Sequence, residues 1–246
     1  MQGVILAAGA GSRLQALGGS KPLVALAGLS LLERVMATAA CAGVDAFILV
    51  TGHEGEKVAA HGRDVAARRR LRLDIAANPR WREANGLSVL AAAPFVTGDH
   101  FLLMMCDHVV EPALIAQVLA APRQGYATLL AIDRRLDNPD VDLEDVTRVA
   151  LAGDAITAIG KGLARYQAYD CGVFCAHESL SGAIETSLAR DNDASLSGGM
   201  RVLAAQGLAR AHDIGAAYWV DVDDPVAHAK AHARLMDFDW LAATSC

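Results

Sequence analysis

Cysteine is scarce and unpatterned in this chain. Cys41, Cys106, Cys171, Cys175 and Cys246 fall at irregular spacing, and no Cys-x-x-Cys occurs. Nothing here builds a disulfide framework, and the pattern is that of a reduced intracellular protein. Long apolar runs are also missing. None reaches the roughly 18 residues that span a bilayer. The N-terminus has no basic segment before its short apolar run, so it does not read as a signal peptide. A cytoplasmic protein is expected. Positive charge is in deficit, with 22 Lys and Arg against 28 Asp and Glu, a net charge of -6. That argues against a nucleic-acid partner, which calls for a concentrated basic face. The one basic cluster, Arg68-Arg69-Arg70 with Arg72, falls where a helix is expected to end, and reads as a solvated helix terminus.

What is present is an alternation of apolar strands and amphipathic helices. Strands are expected at 3–7, 46–50, 71–76 and 101–105, and helices at 31–42, 56–69, 87–93 and 111–121. Ser30 is placed to cap the helix from Leu31, with Glu33 at its third position and Gly43 just past its end. This rhythm predicts a Rossmann-like α/β fold, a mostly parallel but mixed sheet with helices on both faces. After residue 126 the order changes. Strands are expected at 127–132, 147–151, 155–159, 168–175, 209–213 and 217–222, the second and third joined by a hairpin. Helices are expected at 177–190, 197–205 and 225–236. The 246 residues suit a single domain, with 1–125 as a nucleotide-binding half and 126–246 as an acceptor-binding half. The hairpin and helices of the second half are expected to form a small lid over the strand ends.

The chemistry concentrates at the first strand's end. "GVILAAGAGSRLQALGGSKPL" runs from an apolar strand into a loop of small residues with Arg13 and Lys21. Such a loop presents backbone N–H groups at the sheet's carboxyl edge, where open α/β sheets bind ligands. Leu14 stands where a dinucleotide fingerprint needs its third glycine, and no Gly-Lys-Ser/Thr of a P-loop occurs. What remains is a loop with a guanidinium and an ammonium, two ways to hold a polyphosphate. Asp107 directly follows the strand "FLLMMC", a position suited to holding Mg²⁺. A second carboxylate is expected from "YWVDVDDP", where Asp221 and Asp223 share a face. In "EANGLS", Asn85-Gly86 makes a turn and Ser88 can cap a helix or touch a ligand. His108 follows the metal carboxylate and can touch substrate or orient its loop. Asp133 and Arg134 end a strand near the same rim and can reach an acceptor, and Asp170 can bind polyol hydroxyls. His228 and His232 have metal-ligand spacing but no third ligand, and read as surface or packing residues.

"LAAGAGSRL" followed by "KPL" resembles the signature of the nucleotidyltransferases that activate sugars, alcohols and cofactors with a nucleoside triphosphate. The segments "MCDHVVEP", "AIDRR", "DVTRV", "ITAIGKGL", "YDCGVF" and "WVDVDDP", in this order, resemble the CTP:L-myo-inositol-1-phosphate cytidylyltransferase domain. The resemblance covers nearly the whole chain and implies a GT-A-like nucleotidyltransferase fold. It implies that Leu6, Ala7, Ala8, Gly9, Ala10, Gly11 and Ser12 wrap the nucleotide, with Arg13 and Lys21 on its phosphates. It further implies that the Asn85–Ser88 segment touches base and ribose, that Asp107 and Asp221 hold Mg²⁺, and that Lys161 meets the acceptor's phosphate. The partners implied are CTP and a small phosphorylated alcohol, inositol 1-phosphate first, with a choline-phosphate or molybdenum-cofactor nucleotidyltransferase, or a non-catalytic nucleotide-binding regulator, as alternatives. A homodimer is compatible with the sequence. Two departures stand out: a stand-alone domain is expected, without the membrane domain often fused to these relatives, and Asp224 stands where Thr is usual.

Overall fold

The computed structural model describes residues 1–17, 19–123 and 125–243. Its strands are β1 (Gln2–Ala7), β2 (Ala25–Leu26), β3 (Leu29–Ser30), β4 (Ala46–Thr51), β5 (Arg72–Ala77), β6 (His100–Met105), β7 (His108–Val110), β8 (Thr128–Asp133), β9 (Arg148–Ala152), β10 (Ala155–Gly160), β11 (Ala168–His177), β12 (Ala209–Asp213) and β13 (Trp219–Asp221). The helices are α1 (Leu31–Cys41), α2 (Gly55–Arg69), α3 (Gly86–Ala92), α4 (Pro112–Ala120), α5 (Ser179–Asp191), α6 (Leu196–Ala205), α7 (Pro225–Asp237) and α8 (Trp240–Ala243). Short 3-10 turns occupy Ser12–Leu17, Lys21–Leu23 and Ala93–Phe95.

One sheet carries nine strands in the order β5-β4-β1-β6-β11-β8-β12-β10-β9. The β5-β4-β1-β6 stretch is parallel, while β11 runs antiparallel to both β6 and β8. The mixed α/β fold is therefore as expected, with a four-stranded parallel stretch in the first half and β12 parallel to β8 in the second. Strand β1 is apolar from Gly3 on, where both of its faces are covered. Ile5 and Ala7 join the core under α1, α2 and α4, whereas Val4, Leu6 and Ala8 join the core under α3, α5 and α6. Helices α5 and α6 thus form a face layer of the sheet, and the segment reaching over the strand ends is the 134–147 loop.

One expected strand goes elsewhere. Trp219–Asp221 does not close the main sheet but pairs with β7 in a two-stranded ribbon. A third apolar cluster explains this. Leu14, Val24 and Leu31 pack with Val109, Val220, Val222, Ala231 and Leu235. Helix α7 and the ribbon together wedge beneath the first loop, burying roughly 1.5–3 kcal/mol per large aliphatic side chain. Asp224 caps α7, accepting from the N–H of Val226 and Ala227 at 2.8 Å each. Capping is a job that Thr and Asp both perform, which accounts for that departure from the family pattern. The cysteines expected to be reduced divide. Cys106, Cys171 and Cys175 are free and buried, Cys41 is disulfide-bonded, and Cys246 lies outside the described residues. No described helix is long and apolar enough to cross a membrane.

Candidate active site

The carboxyl ends of β1 and β6 lie side by side, so the loop after β1 faces the loop after β6. Gly11 adopts a φ of +57°, and a Cβ there would collide with the Lys21 side chain. Glycine is needed at this point so that Lys21 can lie under the loop. Lys21 is only 6% exposed, and its ammonium bridges Asp107, at 2.5 Å, and Asp223. Burial works against that charge, but Asp107 and Asp221 outweigh it and raise the Lys21 pKa above its ordinary value.

The β7–β13 ribbon sets the acidic centre. His108 and Asp221 are direct cross-strand partners, and the N–H of Val222 donates to the carbonyl of Asp107 at 2.9 Å. Asp107, His108 and Asp221 are thereby gathered so that one ligand atom of each lies within 4.8 Å of the others. The His108 ring Nδ1 is 2.9 Å from Asp107 and 3.8 Å from Asp221. Burial opposes the imidazolium, yet Asp221 and Asp107 raise its pKa to about 9. Burial likewise opposes the Asp107 carboxylate, but Lys21 and His108 hold it far below the usual carboxylate range. Asp221 moves the other way, raised by burial and by the like charge of Asp107. Its Oδ1 is buried with no hydrogen-bond partner. Two carboxylates, one with an orphaned buried oxygen, fit an oxygen-seeking divalent cation.

A cleft of about 230 Å³ opens beside this centre, lined among others by Asn85, Lys161, Phe174, Leu196 and Trp219. Eight of its lining residues are aspartates: Asp107, Asp140, Asp142, Asp145, Asp170, Asp221, Asp223 and Asp224. Lys161, just past β10, pairs with Asp145 on the 134–147 loop. Asp145 also meets Arg13 at 2.5 Å, and Arg13 meets Asp223 at 2.7 Å. Asp170 accepts from the Gly172 N–H at 2.8 Å, and burial raises its pKa to about 6.

The structure thus brings Arg13, Lys21, Asp107, His108, Lys161, Asp170 and Asp221 around one cleft. Leu6, Ala7 and Ala8 are buried in the core at the end of β1, and none of Leu6, Ala7, Ala8, Gly9, Ala10, Gly11 and Ser12 lines the cleft itself. Asn85 lines it, and its Oδ1 accepts from the Leu196 N–H at 2.9 Å, tying α3 to α6. Gly86 packs against the Ala194 backbone, where a side chain has no room.

Three further expected residues face elsewhere. Ser88 is buried and accepts a hydrogen bond from Asn78 at 3.0 Å, so it shapes the turn rather than meeting a ligand. Arg134 turns to the Gly153 carbonyl and Asp213 at the hairpin. Asp133 is 0% exposed, and its oxygens accept from Arg135, Asn138 and the Trp219 indole. No lone pair is left for an acceptor. Its effect on the site is indirect, because it fixes Trp219, whose ring stacks 6.2 Å from His108. Asp145 and Trp219 were given no role by sequence reasoning, and Asp223 only that of a rival to Asp221. The pairing of Asp145 with Arg13 spans 132 positions, and no local pattern announces it.

The chain is similar to known proteins over most of its length. A bifunctional IPC transferase and DIPP synthase of Rubrobacter xylanophilus is 35% identical over 232 residues, 90% of this chain and 49% of the relative. The chain therefore spans about half the length of that relative. A CMP-5'-(3-aminopropyl)phosphonate synthase of Streptomyces rubellomurinus is 36% identical over 140 residues, 55% of this chain and 21% of the relative. The solved inositol-1-phosphate CTP transferase from T. maritima superposes with a TM-score of 0.83 at 22% identity, covering 96% of each chain, a likeness of fold. Residues 3–210 match the MobA-like NTP transferase domain, and the chain belongs to that nucleotidyltransferase family.

Proposed function

We propose that this protein transfers CMP from CTP to a phosphorylated alcohol and releases pyrophosphate, with inositol 1-phosphate as the first acceptor to try. The observation carrying this reading is the meeting of Arg13, Lys21 and Lys161 with the Asp107–Asp221 pair in one cleft. The acceptor's phosphate oxygen attacks the α-phosphorus of CTP, and the bond to the leaving pyrophosphate breaks. A phosphate monoester is already largely dianionic at neutral pH, its second pKa being about 6. No general base is required, so positioning and charge neutralisation carry the rate. Lys21 and Arg13 hold the departing phosphates, Lys161 orients the attacking one, and Trp219 and Phe174 wall the cleft. Asp107 and Asp221 would hold Mg²⁺, which when bound supplies charge neutralisation at the α-phosphate. Both substrates are water-soluble, and the reaction is assigned to the cytoplasm.

The eight cleft aspartates favour a second class of acceptor, one with an ammonium tail. The aminopropylphosphonate named for the Streptomyces relative has that chemistry. Pyrophosphate release is measured with CTP, ATP, GTP and UTP against inositol 1-phosphate, glycerol phosphate and phosphocholine. Turnover is expected with CTP and one acceptor, and Asp107→Ala or Lys21→Ala should lower kcat/KM by about 10³-fold, or roughly 4 kcal/mol. Wild-type turnover in either variant, or none with any pair in the wild type, refutes the reading.

A further inference from the structure

Six charges cross the cleft as an unbroken chain of pairs from Lys161 to Asp107: Lys161 with Asp145, Asp145 with Arg13, Arg13 with Asp223, Asp223 with Lys21, and Lys21 with Asp107. Three cations and three carboxylates cancel. Every cation that the proposed reaction assigns to phosphate is therefore already holding a carboxylate of this chain. Asp107 belongs to the acidic centre, and Asp223 lies two residues beyond Asp221. Asp145 belongs to neither. It rides on the 134–147 loop, and its two oxygens are shared out, Oδ2 to Arg13 and Oδ1 to Lys161. An anion held between a guanidinium and an ammonium, one oxygen on each, is the arrangement a phosphate group would take at that spot.

The loop around Asp145 is tied at other points that no phosphate would disturb. Asn138 is held by Asp133, the Pro139 carbonyl by Lys230, and the Leu143 carbonyl by Arg148. Of these contacts only the one from Asp145 to Arg13 ties the loop to the phosphate loop. The Asp145 side chain is 26% exposed, so it already touches water and gains further hydration when released. A carboxylate brings one charge to the two cations. A phosphate monoester brings about 1.5 to 2 charges at pH 7 and three acceptor oxygens. A phosphodiester brings one, no more than Asp145 does.

We propose that Asp145 is a selectivity residue that competes with substrate phosphate for Arg13 and Lys161, admitting a phosphate dianion and turning away singly charged anions. The source of that phosphate, acceptor or nucleotide, rests on the nucleotidyl-transfer reading, whereas the competition does not. The test is calorimetric titration of the full chain with inorganic phosphate, pyrophosphate and dimethyl phosphate, in wild type, Asp145→Asn and Asp145→Glu. Asp145→Asn should bind phosphate and pyrophosphate five- to tenfold more tightly, and its preference for phosphate over dimethyl phosphate should narrow by a similar factor. Asp145→Glu keeps the charge and should keep the wild-type preference, which separates lost charge from disturbed folding. In steady-state kinetics, a lower KM for the acceptor alone assigns the displaced position to the acceptor's phosphate. A lower KM for CTP alone assigns it to the nucleotide. If no acceptor is turned over, the titrations still decide. Unchanged or weaker phosphate binding in Asp145→Asn overturns the proposal.

Discussion

Asp133 shows how a single residue is misjudged from sequence and what the error reveals. A carboxylate ending an apolar strand reads as a rim group. Arg135, two positions on, returns to claim it, and the Trp219 indole, 86 positions away, closes the last opening at 2.8 Å. Burial opposes the Asp133 charge, but the bonds from Arg135, Trp219 and Asn138 prevail and lower its pKa. A carboxyl whose folded pKa is depressed stabilises fully above the unfolded value of about 3.9. That contribution fades as pH falls below about 4 toward the lower folded value. Thermal unfolding from pH 7 to 3 should show this loss. Asp133→Asn should lose on the order of 3 kcal/mol at pH 7, because buried donors are left facing an amide. It should also flatten the acid limb. A variant as stable as wild type at pH 7 would return Asp133 to the rim. Gly11, by contrast, was read correctly as loop glycine, but its reason was hidden. Only the folded loop shows Lys21 lying where a Cβ would be.

At the scale of elements, β11 carries the feature that opens the site. Its register against β8 shifts between Asp170 and Phe174. Such a bulge re-aims side chains beside functional sites. Asp170, Gly172 and Phe174 accordingly all line the cleft. Gly172 sits at φ +72°, and a Cβ there would run into the His108 ring. Gly172→Ala should therefore cost about 1–3 kcal/mol of stability and push His108 off Asp107. Turnover is expected to fall at least tenfold while far-UV circular dichroism stays unchanged. Full activity would show that His108 can move freely. The long elements were legible because their periodicity spans several turns or a whole buried strand. The α1 cap was legible too, with Ser30 accepting from Glu33 N–H at 3.0 Å. The β7–β13 ribbon was not. Three-residue strands are too short to show a period, and their pairing joins positions 111 apart in register, Val109 with Val220, which brings His108 opposite Asp221.

For the whole molecule, the site is a meeting of distant segments, and this explains what sequence could and could not show. Each motif signalled its residue type: small residues and cations after β1, a carboxylate after β6, carboxylates after β13. The pairings between them are long-range, spanning 202 positions from Lys21 to Asp223 and 210 from Arg13 to Asp223. The fold alone creates the neutral chain of ion pairs across the cleft, and that chain couples its ligands. Asp107 has one oxygen on Lys21 and the other on His108. A divalent cation arriving there must take Asp107 from Lys21, leaving an ammonium short of an anion. A triphosphate arriving alone takes Lys21 and leaves Asp107 and Asp221 with only the His108 imidazolium between them. Each ligand supplies what the other strips away, so the two should bind cooperatively, with a coupling of roughly 1–3 kcal/mol. At about a hundred times Kd a ligand stabilises by about 2.7 kcal/mol. In a domain of this size that is a rise in Tm of about 5–10 °C. Scanning calorimetry with MgCl₂ alone, CTP alone and both together should show a joint rise several degrees above the sum of the separate ones. Asp221→Asn removes one carboxylate without touching Lys21, and should leave the CTP shift but abolish the excess. Additive shifts in the wild type would mean that the ion pairs seen across the cleft do not compete with its ligands.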